Sequence, residues 1–166
     1  WHGTHVTGTI AAATNNQQGT AGAGWDTRVM PLRVLGLNGE GSTYDVLQAV
    51  RYAARLSNDS GTLPSSRADI INLSLGSSFR SSAEQDAFTA ARNAGVIIVA
   101  AAGNSSTDEL FYPASYDGVI SVSATAPDDS LAYYSNFGSK IDVAAPGGDL
   151  RNDTNSDGQA DGVLST

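Results

Sequence analysis

The segment that most limits the fold is the run VIIVAAA at residues 96–102, which is apolar at every position. It directly follows SSAEQDAFTAARNAG, residues 81–95, in which alanines and Phe88 recur at helical spacing and Gly95 supplies a stop signal. A fully apolar strand behind an amphipathic helix is typical of a parallel sheet, because crossover helices cover the faces of such a sheet. The chain is therefore expected to be α/β.

The same alternation extends along the rest of the chain. Ser42 lies three residues before Asp45, which is an N-cap signature for a helix. Helices are predicted at residues 5–13 and 43–56, and further strands at residues 29–35, 69–75, 118–125 and 140–147. This order predicts a mostly parallel sheet covered by helices on both faces, with its binding site at the carboxyl ends of the strands.

Composition excludes several classes of function. The 166 residues suit one domain, and the net charge of −8 disfavours nucleic acid, which requires clustered lysine and arginine. The absence of cysteine excludes disulfides and thiolate metal sites. No apolar run approaches the roughly 20 residues of a membrane span. The sequence starts at Trp1 without methionine, so we expect an internal piece of a longer protein.

Two familiar kinds of site are disfavoured, a dinucleotide site by its glycine spacing and a zinc site by its lack of ligands. Gly36, Gly39 and Gly41 follow a predicted strand, but they form G-x-x-G-x-G rather than the dinucleotide-binding G-x-G-x-x-G. His2 and His5 could share one helix face, yet no cysteine or third histidine exists to complete a zinc site. A glycine-rich loop and a pair of non-ligating histidines are the better interpretations.

Asn104 ends the apolar strand in the turn AAAGNSS. An asparagine fixed at a strand end can donate its amide to a developing oxyanion, as acyl-transfer enzymes require. On its own, however, the position favours an ordinary turn residue, because asparagine is common in tight turns.

Four segments taken together change that balance. HGTHVTG, INLSLGS, VAAAGNSS and the later YPASYDGVISVSAT…YSNFGSKIDVAAPG occur in this order over residues 2–147. They resemble the subtilisin-like serine proteases, the subtilases. The resemblance implies that residues 1–166 are one partial catalytic domain with the three-layer subtilisin-like α/β fold, truncated at both ends. It also implies peptide-bond hydrolysis through an Asp-His-Ser triad and an acyl-enzyme.

The resemblance assigns roles to individual residues. His2 matches the general base, His5 matches a structural histidine that packs under the site, and Asn104 matches the side-chain donor of the oxyanion hole. The implied substrate-binding residues line a pocket and the strand opposite it. One wall of the pocket is Ser74, Leu75 and Gly76, and the other wall is Ala101, Ala102 and Gly103. The strand on the other side of the substrate is Gly39, Glu40 and Gly41, and Phe111 lies near the base of the pocket. A phenylalanine at the base would favour small P1 side chains.

The chain departs from the family pattern at both ends. The triad acid should precede His2 and the nucleophilic serine should lie in a G-T-S motif, and neither occurs here. Ser165 lacks that context. The chain alone is therefore expected to be inactive. The alternative is a catalytically dead homologue that serves as a peptide-binding module, which the residue at the serine position would distinguish.

The acidic segment DTNSDGQADG, residues 153–162, indicates a metal site. It opens as D-x-N-x-D-G, the pattern of a calcium loop, although Leu164 replaces the bidentate glutamate at position twelve. The alternative is a solvated acidic loop. We predict structural calcium, with five ligand positions: Asp153, Asn155, Asp157, Gln159 and Asp161.

Partners and location follow mostly from the resemblance. It implies polypeptide substrates and a monomer, and an N-terminal propeptide outside this chain is a further candidate partner. The acidic charge, the lack of cysteine and the calcium loop fit a secreted, extracellular enzyme.

Overall fold

The computed structural model describes all residues 1–166. Helices α1 (His2–Ala11), α2 (Thr43–Ala53) and α3 (Ser82–Asn93) accompany strands β1 (Ile70–Leu73), β2 (Ile97–Ala101), β3 (Ile120–Thr125) and β4 (Val143–Pro146). These four strands form one parallel sheet in the order β1-β2-β3-β4. Strands β5 (Gly148–Asp149) and β6 (Asp161–Gly162) form a small antiparallel hairpin. The predicted alternation of helices and parallel strands is thus confirmed.

One face of the sheet packs on α2 and α3. Side chains alternate along a strand, so Ile71 and Leu73 of β1 and Ile98 and Ala100 of β2 point to the same face and are buried. The helices meet them with an apolar stripe at helical spacing. This core includes Val46, Val50, Ala53, Phe88 and Ala91.

The opposite face of the sheet exposes apolar side chains. Ile70, Ile97, Ile120 and Val143 lie on it and are 37–59% exposed. The cross-strand register places Ile70 directly beside Ile97. Large apolar side chains in such a row are unusual on a free surface. None of the three helices combines the length and the apolar character that a membrane span requires.

The strand predicted at residues 29–35 is wrong. The segment takes no ladder hydrogen bonds and forms no regular element, although Met30 and Val34 pack against the core. An apolar, β-prone sequence becomes a strand only where a neighbouring strand can pair with its backbone. β1 is the edge strand of the sheet and pairs only with β2, so no strand pairs with this segment.

Tyr116 joins the start of α3 to the core. Its hydroxyl donates to the buried Glu84 carboxylate at 2.8 Å and accepts the Ser81 backbone N–H at 2.7 Å. Its ring packs against Phe88 and Tyr112 at centroid distances of 5.5 and 4.6 Å. Burial, with a smaller effect from Glu84, raises the pKa of Tyr116 to about 12 from an ordinary 10.0.

Tyr116→Phe is expected to lower the free energy of unfolding by about 1–3 kcal/mol, because it leaves a buried carboxylate and an N–H without their partner. The raised pKa adds a dependence on pH. Above pH 10 the unfolded chain loses the hydroxyl proton while the folded chain keeps it, so the stability that Tyr116 contributes is lost between about pH 10 and about pH 12. Denaturant titrations at neutral and alkaline pH measure both effects. Tyr52→Phe is the matched control, and an equal loss in that variant would contradict the role of Tyr116.

Candidate active site

His2 lies at the carboxyl end of the sheet. It is the first residue of α1, and its Nε2 lies 2.8 Å from the carbonyl oxygen of Ser74, the residue that follows β1. Because a carbonyl oxygen only accepts, Nε2 carries the proton in this contact. The imidazole is exposed, so it is accessible to a reacting group.

Asn104 lies at the same edge of the sheet, after the neighbouring strand. The parallel register pairs Leu73 of β1 with Ala100 of β2, so the residues that leave the two strands emerge side by side. The Asn104 side chain is exposed and takes no hydrogen bond within the protein. Its amide is therefore free to donate to a group that enters from solvent.

The segment after Ser74 offers an unpaired backbone. The N–H and C=O groups of Leu75 and Gly76 make no backbone hydrogen bonds, whereas the next residue, Ser77, exchanges two 2.8 Å bonds with Tyr112. Unpaired backbone along an extended segment is what a peptide needs in order to bind as an added strand.

Phe111 lies between the two predicted walls of the pocket. A Cβ placed on Gly76 would lie 2.5 Å from Cε1 of Phe111, and a Cβ placed on Gly103 would lie 3.1 Å from Cδ1 of the same ring. Because these two glycines have no side chain, the Phe111 ring can lie close to both of them. The Phe111 ring thus lies beside one glycine of each predicted wall, and the assignment of Ser74–Gly76, Ala101–Gly103 and Phe111 to substrate binding stays a prediction.

Comparison with known proteins identifies the family. The model of the subtilase family matches residues 1–166. The chain belongs to the subtilase family. It is 45% identical over 149 residues to the thermophilic serine proteinase of Bacillus sp. strain AK1, covering 90% of this chain and 35% of that protein. It is 41% identical over 158 residues to the extracellular protease of Xanthomonas campestris pv. campestris, covering 94% and 27%.

A solved structure gives the same result for the fold. A protease from Pseudoalteromonas arctica superposes with a TM-score of 0.88 at 40% sequence identity, over 100% of this chain and 52% of that chain. The predicted three-layer subtilisin-like α/β fold is thereby confirmed. The subtilase chain spans about a third or less of the two curated relatives and about half of this solved structure.

The glycine-rich loop of this subtilase closes on itself. Gly36 donates its N–H to the Glu40 carbonyl at 2.8 Å, and Gly39 donates back to Gly36 at 3.2 Å. The backbone hydrogen bonds of Gly39 and Glu40 stay within the loop, and none joins it to residues 74–76 or 101–103. The assignment of Gly39, Glu40 and Gly41 to substrate binding stays a prediction.

His5 does not pack under the site as predicted. It is exposed, and its Nε2 lies 3.0 Å from the Val163 carbonyl oxygen. Ser165 donates its hydroxyl to the His5 carbonyl at 2.7 Å. Since one turn of helix separates His5 from the sheet edge, its side chain reaches the last residues of the chain instead of the core. His5 therefore has a structural contact at the surface, where it binds the last residues of the chain.

The predicted calcium loop connects β5 to β6. Asp153 accepts the backbone N–H groups of Asp157 at 3.1 Å and Gly158 at 2.9 Å, and Asp157 accepts that of Gln159 at 2.8 Å. Hydrogen bonds from Thr154 hold the pKa of Asp161 below its usual value. Carboxylate and amide oxygens suit a hard cation. No three acidic or histidine side chains of the chain cluster together. The assignment of calcium to this loop stays a prediction.

Asn136 contacts the turn that carries Asn104, a contact that the sequence did not predict. It is 3% exposed, and its side chain bridges the two ends of the turn that carries Asn104. The sequence contains it within YSNFG, but no spacing rule links this segment to a turn 31 residues earlier. The sequence alone gives no signal that this asparagine is buried.

Proposed function

We propose that this chain supplies the general base and one oxyanion-hole donor of a subtilisin-like serine endopeptidase. The observation that carries the proposal is the placement of His2, the free Asn104 amide and an unpaired backbone segment at one edge of a parallel sheet. Membership of the subtilase family and the names of the relatives support the same reaction.

In the proposed reaction, a serine hydroxyl from outside this chain attacks the substrate carbonyl carbon. The serine proton passes to His2, and the carbonyl π electrons move to the oxygen, which becomes an oxyanion. His2 then returns the proton to the leaving amine as the C–N bond breaks and the acyl-enzyme forms. Nε2 carries a proton while it donates to the Ser74 carbonyl. To accept the serine proton there, the imidazole has to leave this carbonyl and take the tautomer with its proton on Nδ1, which frees the Nε2 lone pair.

Asn104 stabilises the charge that develops in this step. A donor that is already aimed at the oxyanion position stabilises the transition state more than the neutral substrate. Its amide has no partner within the protein that would have to be displaced first.

The substrate binds as an extended strand. The backbone groups of Leu75 and Gly76 are unpaired and supply hydrogen bonds that do not depend on substrate sequence. The resemblance to the family supports Gly39–Gly41 as the strand on the other side of the substrate. Phe111 shortens the pocket between Gly76 and Gly103, which favours small P1 side chains.

The setting of the protein is part of the proposal. The name of the Xanthomonas relative, an extracellular protease, supports secretion. We infer that the protein acts as a monomer on polypeptides outside the cell, after removal of an N-terminal propeptide. The 166-residue chain alone should hydrolyse nothing, because it contains no G-T-S motif and no acidic residue before His2.

His2→Ala and Asn104→Ala test the reaction in a longer protein that includes the serine segment. His2→Ala should abolish measurable turnover of a chromogenic peptide. Asn104→Ala should lower kcat about 10²–10³-fold with little change in KM, a magnitude known for the oxyanion-hole asparagine of subtilisin itself and not obtained from this geometry. His5→Ala is the matched histidine control and should keep kcat. Full activity of His2→Ala, or hydrolysis by the 166-residue chain, would contradict the proposal. A residue other than serine at the nucleophile position would indicate a peptide-binding module instead.

Phe111→Gly tests the pocket. Removal of the ring should raise kcat/KM for peptides with large P1 side chains, relative to those with P1 alanine, by about tenfold or more. The measurement is a P1 series of peptide substrates. Phe79→Gly, at a phenylalanine that is 83% exposed, is the matched control. An unchanged P1 profile in Phe111→Gly would reject the pocket assignment.

Calcium binding by the loop at residues 153–161 is proposed from its sequence pattern. Isothermal titration of the protein with Ca²⁺ should give a binding isotherm, and Asp157→Ala should weaken it about tenfold or more because a carboxylate ligand is lost. Asp128→Ala, which removes an exposed carboxylate that also bonds within its own turn, should leave the isotherm unchanged. Equal binding by Asp157→Ala and the unaltered protein would reject the site.

A further inference from the structure

The turn that carries Asn104 is held from one side by a single buried side chain. Asn136 donates its Nδ2 to the Ala102 carbonyl at 2.9 Å and accepts the Ser105 backbone N–H on its Oδ1 at 2.8 Å. Its own backbone N–H donates to the Gly103 carbonyl at 3.1 Å. Three hydrogen bonds from one residue therefore bracket Gly103 and Asn104.

Gly103 makes this contact possible. Its φ of +112° lies in a region that side chains rarely adopt, and a Cβ at this position would lie 2.5 Å from Nδ2 of Asn136. The Asn136 amide thus occupies the space where a side chain at residue 103 would project. A side chain at residue 103 would therefore clash with the Asn136 amide.

Neighbouring bonds anchor Asn136 in turn. Ser106 donates its N–H to Tyr134 and Phe137 donates to Thr107, both at 3.0 Å, so the two segments run alongside each other on either side of Asn136. Ser135 accepts the N–H of Ala124 in β3 at 2.9 Å, which ties the segment to the sheet. We call the three hydrogen bonds of Asn136 to Ala102, Gly103 and Ser105 the clamp. The clamp is therefore connected to β3 as well as to the end of β2.

The two asparagines contrast sharply. The Asn136 side chain is buried with its donor and acceptor both used, whereas the Asn104 side chain is exposed with neither used. A donor that must meet an oxyanion without reorganising needs a fixed backbone, because its own side chain has no partner to hold it.

We propose that Asn136 is a positioning residue that fixes the direction of the Asn104 amide toward the oxyanion. The inference rests on the proposed function, since it assigns Asn136 a role through Asn104. Loss of the clamp should act on kcat more than on KM, because only the transition state carries the charge that Asn104 meets.

A double-mutant cycle in the longer, serine-containing protein tests this role. Asn136→Ala should lower kcat about tenfold or more and change KM by less than about twofold. The kcat is expressed per active site, and active sites are counted by complete labelling with a sulfonyl fluoride. In the Asn104→Ala background, the same substitution should change kcat by less than about twofold, because the group that it positions is gone. Asn136→Asp, which keeps the acceptor but loses the Nδ2 donor, should follow the same pattern and serves if Asn136→Ala does not fold.

Asn58→Ala is the matched control for loss of a loop-clamping amide. Asn58 also donates to two carbonyls and accepts an N–H within one loop, at 2.9–3.1 Å, far along the chain from residues 102–105. It should lower stability without lowering kcat. An unchanged kcat in Asn136→Ala, or a full and additive loss in the Asn104→Ala background, would overturn the inference while leaving the oxyanion role of Asn104 intact. An unchanged kcat in Asn104→Ala itself would overturn both.

Discussion

The parallel register between β1 and β2 determines where the reactive groups lie. With Leu73 beside Ala100, the chain leaves both strands at one edge of the sheet, and the segments that begin at Ser74 and Ala102 emerge as neighbours. Burial of Ile71, Leu73, Ile98 and Ala100 against α2 and α3 holds this register, because a slip by one residue would turn the apolar side chains to the other face. The positions of the Ser74 carbonyl that His2 contacts, of residues 74–76 and of Asn104 all derive from this pairing.

The edge of the sheet is finished by polar contacts of the backbone. Ser74 receives the His2 imidazole on its carbonyl, Ser77 pairs with Tyr112, and Asn136 holds the turn that follows Ala102. Each of these contacts fixes a backbone group that leaves a strand and would otherwise be without a partner. The same contacts leave the Asn104 amide and the backbone of Leu75 and Gly76 without partners, as the proposed function requires.

Sequence patterns predicted the elements that are stabilised locally or by burial. Ser42 accepts the N–H of Asp45, as its capping signature requires, and the apolar run at residues 96–102 contains β2. The strand at residues 29–35 failed because pairing depends on a neighbour that no local pattern reveals. Asn136 was missed for the same reason, since a long-range hydrogen bond has no periodicity. The roles of His2 and Asn104 came from family resemblance, because neither residue is distinctive on its own.

The sheet also constrains how the chain finds its fold. Every pairing in the four-stranded sheet joins residues more than twenty positions apart, as with Ile70 and Ile97 or Val122 and Val143, and none is a local hairpin. The entropy of closing each of these loops is lost before any ladder hydrogen bond compensates for it. Folding of this sheet is therefore expected to be slow compared with that of a helical bundle of equal length, and the edge that carries Ser74 and Asn104 forms only after distant parts of the chain have met.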